Sequence, residues 1–115
     1  MLYLTSSESE VLKPVRTCRV LRRLKSEAGI RMLLVELDPP LGDESDAGKL
    51  SRVILAPRHQ GVSLAFMLWG PVYVHVAKPP EGLESMPVVP NSALQSLYWA
   101  EVYRTHAGAA RGARD

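Results

Sequence analysis

The stretch LSRVILAPRHQGVSLAFMLWGPVYVHVAKPP, residues 50 to 80, decides how this chain folds. Ser51 to Pro57, Val62 to Trp69 and Val72 to Lys78 read as three successive strands, turned by Arg58-His59-Gln60-Gly61 and by Gly70-Pro71. An antiparallel sheet with one wet face alternates apolar and polar residues; this one is apolar on both faces. With simple hairpins, Val53, Phe66 and His75 lie side by side, and Leu55, Leu64, Leu68 and Tyr73 share their face. Ile54, Ala65, Met67, Val72, Val74 and Val76 take the other face, and a slip of one residue exchanges the two. Such a sheet needs cover on both sides, from its own helix, from barrel closure or from a second subunit.

Upstream, Val15 to Leu24 and Ile30 to Leu37 form a hairpin around Lys25-Ser26-Glu27-Ala28-Gly29. Cys18 and Val20 share one face of the first arm and Leu21 takes the other, which calls for a bulge near Val20-Leu21. Asp38-Pro39-Pro40 ends the second arm, because proline offers no backbone donor to a ladder. Residues 41–49 follow as a loop, and Leu2 to Thr5 reads as a short strand or an irregular start. Downstream, Pro79, Pro80, Gly82, Pro87 and Pro90 mark an extended linker. A helix is expected next: Asn91 or Ser92 caps it, Ser92-x-x-Gln95 matches a capping box, and Leu94, Leu97, Tyr98, Glu101 and Val102 fall on one helical stripe. Gly108 suits its stop. The fold class expected is therefore α+β: a curved antiparallel sheet of five or six strands with the C-terminal helix packed on one face. The other face closes as a partial barrel or meets a second copy. Residues 1–106 form the single domain and residues 107–115 a flexible basic tail.

At 115 residues, 46% hydrophobic and 23% charged, the chain has the length and composition of one globular domain. A net charge of +2 does not demand a polyanionic partner. Cys18 is the one cysteine, so neither an internal disulfide nor a cysteine-based zinc site is available. Neither a signal peptide nor an apolar run of membrane-spanning length is visible. The expectation is a cytoplasmic protein with no membrane association and no cofactor.

No motif fixes a chemistry. Arg16, Arg19, Arg22, Arg23 and Lys25 make a basic strand that could track phosphates, but the better reading is an edge strand protected by charge. RNA-binding sheets add exposed aromatics, and none lies between Tyr3 and Phe66. Asp38, Asp43, Glu44 and Asp46 fail the calcium-loop pattern and read as a solvated loop. The three histidines, His59, His75 and His106, lack metal-ligand spacing. His75 reads as a packed histidine, whereas Arg58 and His59 together form a turn able to hold an anion, and Arg58, His59 and His75 are the ligand candidates. Cys18 reads as a buried structural thiol. Val72, Val74, Val76, Trp99 and Tyr103 are the interface candidates, and the valine row motivates a homodimer. No catalytic or metal-binding residue is assigned. The leading functional expectation is a small, non-catalytic, self-associating protein-interaction module. A nucleic-acid-binding domain using the basic strand and Arg111 and Arg114 comes second, level with a ligand-binding domain or enzyme around Arg58, His59 and His75.

Overall fold

Val72, Val74 and Val76 alternate with Tyr73 and His75, and that period of two sends the valines to one face and the wetter pair to the other. The computed structural model of the protein, which describes residues 2–6, 12, 14–42, 50–58, 71–105 and 107, shows where both faces go. Six strands follow in order: β1 (Leu2–Thr5), β2 (Arg16–Lys25), β3 (Arg31–Leu41), β4 (Leu50–Pro57), β5 (Val72–Lys78) and β6 (Gln95–Tyr103). Each pairs antiparallel with the next, and β6 returns to pair with β1, which closes a barrel. The α+β expectation is overturned. Among the described elements there is no α-helix, only 3-10 turns at Leu83–Ser85 and Asn91–Ala93.

The segment read as a C-terminal helix is a strand. Its capping-box residues open only the short 3-10 turn, and Gln95 already pairs with Lys78. Residues 98–103 satisfy both periods: Tyr98, Ala100 and Val102 turn inward while Trp99, Glu101 and Tyr103 turn outward. Their aromatic and β-branched side chains favour the pleated surface.

Inside the barrel, Leu4, Cys18, Val35, Leu37, Val53, Leu55, Val72, Val74, Val76, Ala100 and Val102 pack into one buried cluster. A closed barrel this narrow is filled by side chains. The valine row expected at a subunit interface is thus interior: Val74 and Val76 are 0% exposed and Val72 4% in the single chain.

Part of the outer face is also apolar, and the chain covers it with its own proline-rich linker. Leu24, Met32, Leu34, Ile54, Ala56 and Ala77 face outward beneath Leu83 and Val89. The linker is fastened at named points. Arg22 donates from its two terminal nitrogens to the carbonyls of Leu83 (3.2 Å) and Met86 (3.1 Å). Val89 N–H donates to the Lys25 carbonyl and Glu27 N–H to the Val89 carbonyl, while the Glu27 carboxylate accepts from Asn91 N–H at 2.9 Å.

Three local expectations resolve differently. The bulge near Val20-Leu21 is present, as a register shift between Val20 and Arg22. Pro39 and Pro40 do not end the second arm: β3 runs to Leu41, with a cis Asp38–Pro39 bond, and what breaks is its pairing with β4 between Glu36 and Leu41. The meander register also changes. β4 pairs directly with β5, so Ala56, not Val53, lies beside His75, and the expected strand at 62–69 lies outside the described residues.

Candidate functional site

One row of outward side chains crosses the barrel at the end where β4 stops. Met32 pairs with Leu24, Ala56 pairs with His75, and His75 pairs with Trp99. Beyond Pro57, Arg58 N–H donates to the Tyr73 carbonyl at 2.8 Å, which fixes the backbone where its side chain departs. The Arg58 guanidinium then lies over Trp99, 4.7 Å from the ring centroid. A cation on an exposed indole contributes roughly 0.5–1 kcal/mol. The His75 and Trp99 rings sit 5.6 Å apart, tilted by 53°, within the separation that aromatic pairs favour. Burial lowers the pKa of His75 below its ordinary value of 6.5, so the ring is neutral at pH 7. Trp99 remains 43% exposed and its diagonal neighbour Tyr73 48% exposed.

Next to this cluster a half-open groove of about 210 Å³ runs between the row and the linker. Its lining is mixed: Ile30, Met32, Ala56, Pro57 and Leu94 are apolar, and Ser26, His75 and Asn91 are polar. The Ser26 hydroxyl is taken up by Ile30 N–H at 3.1 Å, which sets the turn wall.

Of the ligand candidates, Arg58 and His75 are brought together through Trp99, while His59 lies outside the described residues. The basic strand does not present five free cations. Arg16 is buried, with Nε donating to the Pro39 carbonyl (3.1 Å) and a terminal nitrogen to that of Pro14 (3.2 Å). Arg19 pairs with Glu36 at 3.0 Å, and Arg22 holds the linker. Arg23 and Lys25 are exposed. Of the interface candidates, the three valines are interior, Trp99 stands exposed and Tyr103 is half-buried on the same outer face. Cys18 is buried inside the barrel, and burial pushes its thiol up to about 12, against the weaker opposing pull of Arg16. Asp43, Glu44, Asp46, His106, Arg111 and Arg114 lie outside the described residues. Among the described residues, no three His, Cys, Asp or Glu side chains converge as metal ligands do, and no helix is long and apolar enough to cross a membrane.

Tyr73 and the groove residues other than His75 are not among the sequence candidates. Tyr73 is legible in retrospect from the alternation Val-Tyr-Val-His-Val, which marks it as outward. The groove carries no sequence signal, because its walls come from four separated segments. No family model, no curated protein and no solved structure matches the chain.

Proposed function

We propose that this protein is a non-catalytic interaction module that binds a protein partner through the outer face of β5 and β6. The single observation carrying this reading is the exposure of Trp99 and its diagonal neighbour Tyr73, with Arg58 over the indole. Tryptophan, tyrosine and arginine are the residues that dominate the energetics of protein interfaces, and exposed aromatics held rigid by neighbours lose little entropy on binding. The barrel interior is packed with aliphatic side chains, which leaves the outer surface as the place of contact. Self-association is not retained, because the valine row that motivated a homodimer is interior. The nucleic-acid reading is not favoured either, since Arg16, Arg19 and Arg22 are engaged within the fold and the exposed aromatics stand on other strands.

Affinity capture from the cells that make the protein, with tagged wild type beside a Trp99→Ser/Tyr73→Ser variant of equal melting temperature, tests the reading. The expected result is at least one protein retained by wild type and reduced tenfold or more by the variant. Equal retention of every protein by both baits, or loss of a nucleic acid alone, overturns it.

A further inference from the structure

We propose that the groove beside His75 receives one large apolar side chain from the partner polypeptide, while Arg58, laid on Trp99, binds a carboxylate carried next to that side chain. The proposal rests on the interaction-module reading and specifies its partner.

Size selects the occupant. Small-molecule sites generally enclose roughly 300–1,000 Å³, and this groove holds about 210 Å³, room for a single leucine-to-tryptophan-sized group. An apolar anchor seated in a pocket, ringed by polar contacts that exclude water, is the arrangement of an interface hot spot. Most of the lining suits it: Ile30, Met32, Ala56, Pro57 and Leu94 are apolar, and His75 is neutral.

Charge selects the neighbour. Arg58 makes no ion pair among the described residues; its backbone is held by Tyr73 and its guanidinium by the Trp99 face. A guanidinium over an indole uses none of its N–H donors in ordinary hydrogen bonds, and the guanidinium fork is one that a carboxylate accepts bidentately. Arg58 directly follows Pro57, a lining residue, and Trp99 directly adjoins His75, another, so cation and groove share one rim. None of the residues lining the groove carries a carboxylate, and Glu27, next to the lining residue Ser26, accepts from Asn91 N–H.

Selection of random twelve-residue peptides displayed on phage against the intact protein, followed by affinity measurement of the enriched peptides, provides the test. The expected consensus places a large apolar residue within two positions of Asp or Glu. Arg58→Glu should weaken such peptides tenfold or more, and replacing their acid by Lys should recover binding to Arg58→Glu. Ala56→Leu, which enlarges a lining residue, should weaken them independently of the charge. A consensus lacking the acid, or peptides indifferent to Arg58→Glu, overturns the proposal while leaving the interaction-module reading standing if Trp99→Ser still abolishes binding. A dT₁₀ oligonucleotide bound on the same face overturns the proposal, and the interaction-module reading falls with it if the cellular capture also loses only nucleic acid.

Discussion

Cys18 and His75 show how much one position depends on which way its strand faces. Both stand within the apolar pattern of their strands, yet Cys18 points into the sealed interior and His75 to the half-wet outer face. For Cys18, burial and a thiol pushed up to about 12 leave almost no thiolate at neutral pH. We expect no reaction with an aromatic disulfide reagent at pH 8 in the folded protein and full reaction once urea unfolds it. The same shift links to stability: the folded state keeps its proton longer than the unfolded chain does, so the contribution is complete below about pH 9 and is lost as pH rises towards about 12. His75 runs the other way. Its depressed pKa means the unfolded chain binds more protons, so stability is full above about 6.5 and falls as the pH drops below it. The urea midpoint of wild type should decline between pH 6.5 and 5 more steeply than that of His75→Phe; parallel declines would remove His75 from this role. Cys18 was legible as a buried thiol, whereas His75, read as a packed histidine, is only partly buried and lines the groove. The partnership of Arg58, His75 and Trp99 was not legible, because only strand register joins positions 58, 75 and 99.

Among the elements, the segment after the linker was the one misread, and the reason is physical. Leu94, Leu97, Tyr98, Glu101 and Val102 fit a helical stripe only if a charged Glu101 is accepted within it, whereas Tyr98, Ala100 and Val102 alternate without exception. Local pattern favoured a helix start at Ser92; pairing with β5 and β1 decided otherwise, as tertiary context commonly does. The linker shows the converse. Its prolines correctly marked it as non-regular, but its function as the cover of the outer apolar face rests on Leu83 and Val89 and on Arg22, an arginine that looked like part of a phosphate track. Arg22→Ala should therefore destabilise the fold by about 1–3 kcal/mol by leaving two carbonyls without their charged donor. Arg22→Lys should recover only part of this, since an ammonium lacks the planar fork. Urea denaturation checks both, and a variant as stable as wild type would show that the linker is held by Leu83 and Val89 alone.

At the scale of the molecule, closure between β1 and β6 converts a two-faced sheet into a barrel whose first strand is only four residues long. The two-sided apolar pattern was legible from the start, and so was the requirement for cover. Which cover was used was not, because the ladder that closes the ring pairs Tyr3 with Tyr103 and Leu4 with Val102, positions no local pattern relates. Removing residues 1–5 takes away Leu4, 0% exposed, whose burial is worth roughly 1.5–3 kcal/mol, and uncovers two strand edges at once. The expected outcome is loss of the cooperative melt and aggregation by light scattering; a monomer that melts normally would show the ring to be dispensable. The same ladder bears on synthesis. A hairpin such as β2–β3 joins neighbours in sequence, but β6, the partner of β1's other edge, is made after the five strands before it. Until β6 has been made, β1 has one edge without its native partner, and a ladder between strands about a hundred residues apart adds the non-local pairing that slows folding.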